Sequence, residues 1–337
     1  MRTLISLAVG LLAFSAGAAE LDMKMLNDIG KDQSRWVAHS HGAEAKECFR
    51  VVDSEGNPVT NANVRCAFKV GAGGSGFQSV YGATDTNGIC TIVGICKAYM
   101  DYSVEKKGYY RSHGKVDYMA TTRVPAVIDG KWQPYGETRT VELKKIKNPG
   151  VLKVPSKLIR VEATIPAYGE WMPFDLEKFD WVKPHGKGSY DDVLLRFRRR
   201  ITDKWYDFAY EMDVSFTNHP FAGAVVLTKD CNSDFMTVYN ADTNATYRAS
   251  FNYFLERTKK SGSKSSVLDK DFYLVFRTRT TVNEDGKLKT AHYGTIHGEW
   301  SPGKSYMTFA DGCFNPTPND TNIEDGHQLR EFLRQAK

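Results

Sequence analysis

Short runs of alternating apolar and polar residues recur along most of the chain and predict β-strands rather than helices. In the first half, the predicted strands are Cys48 to Val52, Ala62 to Val70, Ile89 to Val93 and Tyr99 to Val104. In the second half, they are Leu158 to Ile165, Asp192 to Phe197, Trp205 to Phe216, Ala222 to Leu227 and Tyr247 to Phe254. The strongest pattern predicts a hairpin in which Phe272 to Val282 and Lys289 to Trp300 pair across a turn at Asn283 to Gly286.

A segment rich in lysine, proline and glycine, from Lys144 to Pro155, separates the two sets of strands and has the composition of a linker. A length of 337 residues also fits two domains. We therefore predict an all-β protein with two β-sandwich domains, at residues 47–145 and 155–320, of which the second is a larger antiparallel sandwich. Residues 20–46 are expected to form a loosely packed leader segment, and residues 321–337 a tail with a short C-terminal helix at Gly326 to Ala336.

Several turn motifs of the first half form a recognisable set. Asp53 to Val64 has the spacing D-x-x-G-x-P-V-x-x-A-x-V, Thr84 to Gly88 reads T-D-x-x-G, and Lys107 to Tyr109 reads K-G-Y. In these motifs, residues 47–145 resemble carboxypeptidase regulatory-like and bacterial Ig-like modules. The resemblance implies a seven-stranded, transthyretin-like sandwich that acts as a structural, interaction or spacer domain and brings no catalytic residues. The remainder of the chain resembles exported bacterial proteins to which no activity is assigned.

The first nineteen residues have the three parts of a secretory signal peptide. Arg2 is the positive n-region, Leu4 to Phe14 is a short apolar h-region, and Ala16-Gly17-Ala18 fits the cleavage rule of small residues. The apolar run is too short to span a bilayer, although an uncleaved membrane anchor is the alternative. We expect a protein exported to the periplasm or the exterior, with no membrane span after signal cleavage.

Six cysteines follow the signal peptide, and an even count in an exported protein fits disulfides. Cys231 and Cys313 lie in the second half, so the simplest expectation pairs them with each other. The disulfide candidates of the first half are Cys48, Cys66, Cys90 and Cys96. Their three pairings cannot be distinguished from sequence, and buried free thiols are the alternative. Close C-x-x-C spacing is absent, so neither a metal site nor a cofactor is predicted.

Composition narrows the classes of partner. The formal charge of +5 is small and dispersed, so no nucleic-acid partner is predicted. A basic run at Arg196 and Arg198 to Arg200 is expected to be a solvated strand edge, with Arg196 and Arg198 on one face. Glycans and other envelope proteins therefore remain as the candidate partners.

The most distinctive candidate site is a cluster of aromatic and acidic residues between two predicted strands. Aromatic faces stack on sugar rings, and neighbouring carboxylates accept hydrogen bonds from hydroxyl groups. The candidate binding residues of this cluster are Trp171, Phe174, Asp180, Trp181 and His185. The alternative interpretation is structural, because a long loop can fold its own aromatic side chains onto the core beneath it.

These features predict an exported, non-enzymatic binding or structural protein of the bacterial envelope, with an aromatic patch for glycans. One alternative is a glycan-active hydrolase that uses carboxylates of the same segment, such as Asp175, Glu177 or Asp180. Another is a protein–protein interaction or adhesion module. The sequence has no G-x-S-x-G, H-E-x-x-H or nucleotide-binding motif, so no catalytic residue is predicted.

Overall fold

The predicted all-β class is confirmed, because strands supply nearly all the regular structure of the described residues. The computed structural model describes residues 30, 32–71, 76–150, 152, 161–202, 204–229, 232–260, 262–267, 271–298, 300–309 and 311–325. The signal peptide, the C-terminal helix and Cys231 of the sequence predictions lie outside these residues.

The chain divides into two units. The first unit runs to Ile146 and also includes residues 231–234, and the second unit comprises residues 147–230 and 235 onward. The segment from 231 to 234 belongs to the first unit because Ser233 bridges Ser112 and the amide of Asp234 bonds to the carbonyl of Arg111 at 2.8 Å. The division at residues 146 and 147 falls inside the predicted linker.

The first unit contains one helix and nine strands among its described residues. The helix is α1 (Gln33–His41), and Tyr118–Ala120 forms a 3₁₀ turn. The strands are β1 (Ala43–Asp53), β2 (Asn63–Lys69), β3 (Phe77–Ala83), β4 (Ile89–Cys96), β5 (Tyr99–Glu105), β6 (Ser112–Asp117), β7 (Val127–Ile128), β8 (Lys131–Trp132) and β9 (Glu137–Leu143).

Two sheets of the first unit enclose one core. One sheet has the order β4-β1-β8-β7, with β9 also paired to β1, and the other has the order β3-β2-β5-β6. Strand β1 runs antiparallel to β4 but parallel to β9. Alternate residues point inward, so Phe49, Phe68, Met100 and Trp132 are completely buried. The indole nitrogen of Trp132 donates to the carbonyl of Cys96 at 2.8 Å, which satisfies its polar group inside the core.

Part of the segment expected as a loose leader is ordered in the first unit. Asp32 caps α1 by accepting a hydrogen bond from the amide of Ser34. Arg35 is 3% exposed, and its guanidinium donates to the carbonyls of Met119 and Thr121 at 2.8 and 2.7 Å. This short helix lacks a strong apolar stripe and is held in place by its polar contacts. Because such contacts leave no hydrophobic periodicity in the sequence, the helix was not predicted.

The second unit is larger and is built from strands in its described residues. The first group is β10 (Val161–Thr164), β11 (Trp171–Asp175), β12 (Asp180–Trp181), β13 (Val193–Ile201), β14 (Phe208–Ser215), β15 (Gly223–Thr228) and β16 (Ser250–Thr258). The second group is β17 (Gly262–Ser265), β18 (Phe272–Val282), β19 (Leu288–His297), β20 (Ser301–Pro302), β21 (Tyr306–Phe309) and β22 (Asp311–Phe314).

Three sheets surround the main core of the second unit. Their orders are β12-β11-β13-β14-β16-β17, β15-β18-β19-β22 and β10-β21-β20. The core includes Phe174, Phe197, Phe276, Trp300 and Phe314, each at most 1% exposed. The predicted hairpin of β18 and β19 is present with its turn at Asn283 to Gly286.

Both faces of the sheet that contains β18 are covered. Leu274 and Phe276 face the main core, whereas Tyr273 and Val275 join a smaller cluster with Ile323. From Phe272 to Phe276, β18 is therefore apolar on both faces, as in a strand buried on both sides.

Candidate functional site

The aromatic cluster predicted from sequence forms a tight hairpin of β11 and β12. Phe174 and Trp181 are cross-strand partners, with ring centroids 5.1 Å apart in an edge-to-face arrangement. Phe174 is fully buried and Trp181 is 3% exposed, and the Trp181 indole donates to the carbonyl of Thr164 at 2.7 Å. Trp171 points the opposite way and is 42% exposed, with the guanidinium of Arg196 4.6 Å from its ring. The hairpin therefore divides the cluster between the core and the surface.

The acidic side chains of this segment close its turns. Asp175 is completely buried and accepts hydrogen bonds from the amides of residues 177, 178, 189 and 190, at 2.9, 3.0, 2.8 and 3.2 Å. Asp180 accepts from the amides of Trp181 and Lys187 at 2.8 and 3.0 Å. His185 lies exposed in the turn that follows β12. Carboxylates engaged in this way hold the loop together and have little capacity left for a substrate.

Arg279 connects this loop to β18. It has a left-handed backbone, at φ 49°, where the register of β18 and β19 shifts. Its guanidinium contacts Asp192 at 2.8 and 2.9 Å, Glu177 at 2.6 Å and Asp175 at 3.4 Å. Burial raises the pKa of Asp192, and the hydrogen bonds from Arg279 oppose that shift. The cluster is a buried structural junction in which the cation is already paired.

The four cysteines of the first unit, Cys48, Cys66, Cys90 and Cys96, are free thiols in this structure. Burial raises the pKa of Cys66 to about 12 and that of Cys96 to about 11. Thiols with such pKa values are poor nucleophiles at neutral pH. The predicted pairing of Cys231 with Cys313 stays a prediction, because Cys231 lies outside the described residues.

The predicted basic run divides between two faces of one sheet. Arg196, Arg198 and Arg200 lie on the outer face, where each pairs with a carboxylate. The shared face of Arg196 and Arg198 is therefore confirmed. Arg196 pairs with Trp171 of β11, whereas Arg198 to Arg200 extend past the end of β11 and pair with β14 on one side, in agreement with the expected solvated strand edge. The hydrogen bonds from Arg198 and Arg196 outweigh the effect of burial and lower the pKa of Asp213 to about 2. Arg199 alone points to the inner face.

On that inner face, the sheet continues beyond the main core and forms a surface that sequence analysis did not identify. The open-end surface, as we call it, consists of Tyr168, Arg199, Trp205, Phe208, Tyr210 and Arg257. Along β14, Val214 and Met212 are fully buried, but the next two inward residues, Tyr210 and Phe208, are only partly buried. Trp205, in the turn before β14, is 74% exposed.

Aromatic rings and guanidinium groups alternate along the open-end surface. Arg199 lies 4.0 Å from the ring of Tyr168 and is the cross-strand partner of Tyr210. Tyr210 stacks on Phe208, with ring centroids 4.8 Å apart and planes at 19°. Phe208 is the cross-strand partner of Arg257, whose guanidinium lies 4.5 Å from the ring of Trp205. The six side chains thus form one continuous row across three strands.

Hydrogen bonds hold one end of this row. Arg199 donates from Nη1 to the hydroxyl of Tyr168 at 3.1 Å and to the carbonyl of Lys304 at 2.9 Å. The Tyr168 hydroxyl donates to the same carbonyl at 2.7 Å. Burial raises the pKa of Tyr210, and the charge of Arg199 opposes that shift. Tyr210 is therefore neutral at physiological pH and lies beside an arginine whose orientation is fixed by hydrogen bonds.

Two kinds of feature are absent from the described part of the chain. No group of three or more His, Cys, Asp or Glu side chains there has a geometry that could hold a metal ion. None of the helices described is long and apolar enough to cross a membrane.

Comparisons with known proteins give only distant likenesses. No family model matches the sequence, and no curated protein is similar to it. One solved structure that resembles part of it is 3-chlorocatechol 1,2-dioxygenase from Rhodococcus opacus 1CP. The similarity has a TM-score of 0.26 and 14% identity, and it covers 31% of this chain and 61% of that chain. Hydroxyquinol 1,2-dioxygenase from Pseudomonas putida DLL-E4 has a TM-score of 0.24 and 11% identity over 31% of this chain and 57% of that chain.

A shaft pilin from Lactobacillus rhamnosus GG has a TM-score of 0.19 and 10% identity over 80% of this chain and 93% of that chain. The chain spans less than two thirds of the length of the two dioxygenases. These TM-scores are too low to assign a shared fold or a function.

Proposed function

We propose that this protein is an exported, non-enzymatic binding protein of the bacterial envelope, and that it binds glycans through the open-end surface of its second unit. The observation that carries the proposal is the continuous row of partly exposed aromatic and guanidinium groups at the end of an otherwise well-packed core. Isolated exposed aromatic residues are common, but a row ordered by cross-strand pairing and ring stacking is a feature of binding surfaces.

The chemistry of the row suits sugar rings. Phe208 and Tyr210 are stacked on each other, and Trp205 offers the largest exposed aromatic surface of the row. Each ring that stacks on a sugar contributes about 1 kcal/mol, so three rings give about 3 kcal/mol. A dissociation constant of 1 mM corresponds to about 4 kcal/mol, and we therefore expect millimolar affinity for a short oligosaccharide. Repeated contacts along a polysaccharide would raise that affinity.

The environment of the carboxylates supports binding rather than hydrolysis. A glycosidase requires two carboxyl groups that face each other across the bond to be cleaved. Asp175 and Asp180 are engaged by backbone amides, and Glu177 is paired with Arg279. In the described residues of β13, β14 and β16, every acidic side chain lies on the face opposite the open-end surface.

Export and display belong to the same proposal and rest on sequence. The n-region, h-region and small-residue site of residues 1–19 support secretion. The motifs of residues 47–145 that resemble carboxypeptidase regulatory-like modules support a spacer role for the first unit. A spacer sandwich would hold the binding unit away from the cell surface.

The test is a glycan array probed with the full-length mature protein and two tryptophan variants. Trp205→Ala removes the exposed ring of the row, and we expect it to weaken binding several-fold. Trp171→Ala is the matched control, because Trp171 is also exposed and also stacked with an arginine, but on the other face of the same sheet. Wild-type profiles without any glycan signal would overturn the proposal. Loss of signal in Trp171→Ala but not in Trp205→Ala would move the site to the hairpin of β11 and β12.

A further inference from the structure

We infer that the open-end surface is selective for acidic glycans, and that it binds a polysaccharide with one carboxylate or sulfate group in each disaccharide repeat. The inference rests on the proposed function and adds the class of ligand. It follows from a contrast between the arginines of one sheet, from the donors that remain available, and from the spacing of the two cations.

The arginines of the sheet differ in their ion pairs according to the face on which they lie. On the outer face, Arg196, Arg198 and Arg200 each have a carboxylate partner, at 2.8, 2.9 and 2.6 Å. On the inner face, neither Arg199 nor Arg257 has an ion pair in the described part of the chain. The open-end surface therefore carries positive charge that the described residues of this unit do not neutralise, and the complementary ligand is an anion.

The two unpaired guanidinium groups are also held for binding. Each lies over an aromatic ring, Arg199 on Tyr168 and Arg257 on Trp205. When the flat face of a guanidinium lies on an aromatic ring, the N–H groups at its edge can still donate hydrogen bonds. The arrangement of these donors matches the two oxygens of a carboxylate or the oxygens of a sulfate. Since the rings already restrict both side chains, less conformational entropy is lost when the ligand binds.

The spacing of the two cations suggests how often the acidic group recurs. Arg199 on β13 and Arg257 on β16 are separated by β14, which they flank at Tyr210 and Phe208. Two strand spacings and two residues along the strand place their Cα atoms about 12 Å apart. This distance is comparable with the length of a disaccharide. A glycan with an acidic group on every second sugar can thus contact both arginines while its rings pack against the Phe208–Tyr210 pair.

Nucleic acid also combines negative charge with flat rings, but it fits this surface less well. Its binding depends on many phosphate contacts along an extended basic groove. The row supplies two guanidinium groups, and the arginines of the opposite face are neutralised by their own partners. The formal charge of the whole chain is only +5. An acidic glycan needs no more than the two cations present.

The experiment is titration calorimetry at low salt with five hexasaccharide or hexamer probes. Hyaluronan hexasaccharide carries a carboxylate in each repeat, κ-carrageenan hexasaccharide carries a sulfate, and cellohexaose is neutral. Hexaglutamate tests for an acidic peptide, and a single-stranded DNA hexamer tests for nucleic acid. We expect one or both acidic sugars to bind at least tenfold more tightly than cellohexaose, and the preferred one identifies the acidic group.

Variants connect that preference to the arginines. Arg257→Gln should weaken binding of the acidic sugar three- to tenfold and leave cellohexaose binding unchanged, with Arg199→Gln as a second test. Arg198→Gln is the control, because Arg198 lies on the outer face and is paired. Circular dichroism checks that each variant folds.

The outcomes separate the two levels of the proposal. Equal affinity for acidic and neutral sugars would overturn the inference and leave glycan binding intact. Tighter binding of hexaglutamate or DNA would overturn the choice of a glycan, and no binding of any sugar would overturn the proposed function as well. Unchanged binding in both Arg257→Gln and Arg199→Gln would remove the assigned site.

Discussion

Acidification should destabilise the second unit through His297, which lies at the end of β19. Its Nε2 is 3.0 Å from the hydroxyl of Thr295, while its Nδ1 has no hydrogen-bond partner in the described part of the chain. Burial lowers the pKa of His297 from 6.5 to about 4, and the charge of Asp325 opposes this shift. The imidazole is therefore neutral in the folded protein at pH values where the unfolded chain already binds a proton.

The sign and size of the effect follow from this difference in pKa. A histidine whose pKa is lower in the folded state does not reduce the free energy of unfolding above pH 6.5. Below that pH the unfolded chain binds a proton that the folded protein does not, so the free energy of unfolding falls until the pH reaches about 4. The full difference of about 2.5 pKa units corresponds to about 3.4 kcal/mol of the free energy of unfolding. Relative to pH 7.5, wild type should lose about 1.3 kcal/mol by pH 5.5 and about 2.5 kcal/mol by pH 4.5 from this residue.

The assay is urea unfolding between pH 7.5 and 4.5, with amide hydrogen exchange of β19 as the report on the second unit alone. His297→Gln and His297→Phe should each flatten the pH dependence relative to wild type by the amounts above. His185→Gln is the control, because His185 is exposed and its replacement should leave the curve unchanged. Parallel pH curves for wild type and both His297 variants would refute the argument that a buried neutral imidazole produces this pH dependence.

Three further changes test the buried and turn elements. Arg279→Met should lower the free energy of unfolding by about 3–5 kcal/mol, because it leaves buried carboxylates without their cation, and a second change, Asp192→Asn, should restore part of that loss in urea unfolding. Asp213→Asn should remove a stabilising contribution that wild type loses as the pH falls from 3.8 to about 2. That contribution is at most about 2 kcal/mol because its arginine partners are partly exposed, and identical acid unfolding curves would contradict it. Gly88→Ala should lower the melting temperature more than Gly56→Ala. Both glycines have positive φ, so the backbone strain is shared, but only at Gly88 would the new Cβ lie 2.5 Å from the carbonyl oxygen of Val51, whereas Gly56 faces open space. Equal melting temperatures would show that the close approach is relieved.

Alternating or continuous apolar residues predicted the strands that carry a clear hydrophobic pattern of their own. The β18–β19 hairpin is the best case, since Phe272 to Val282 matches the observed strand from end to end. Strand β6 was missed because Ser112 to Asp117 contains only one large apolar residue, Val116. Strand β9 was missed because Glu137 to Leu143 is polar for most of its length and is held by parallel pairing with β1, a contact distant in sequence. Strands defined by a partner rather than by their own pattern are invisible to local periodicity.

The same limit explains why sequence analysis did not resolve the aromatic cluster. Trp171 and Trp181 are chemically identical and only ten residues apart, but the strand pairing sends one outward and the other into the core. The side of the sheet that each ring occupies depends on the register of β11 with β13. Sequence identified the segment between two predicted strands as rich in aromatic residues, and only the pairing of β11 with β12 and β13 decided which ring was available to a ligand.

The open-end surface does leave a trace in the sequence once the strand register is known. The inward positions of β13 are Val193, Leu195 and Phe197, followed by Arg199 and Ile201. Those of β16 are Phe251, Tyr253 and Leu255, followed by Arg257. An arginine that continues a run of inward apolar positions cannot be buried without a partner, so it marks the point where the core ends and solvent begins. Two strands of one sheet whose inward faces both end in this way predict a cationic opening, whereas a count of consecutive arginines predicts only a solvated surface. The alternation of β13 therefore contains the information needed to separate Arg199 from the paired arginines beside it.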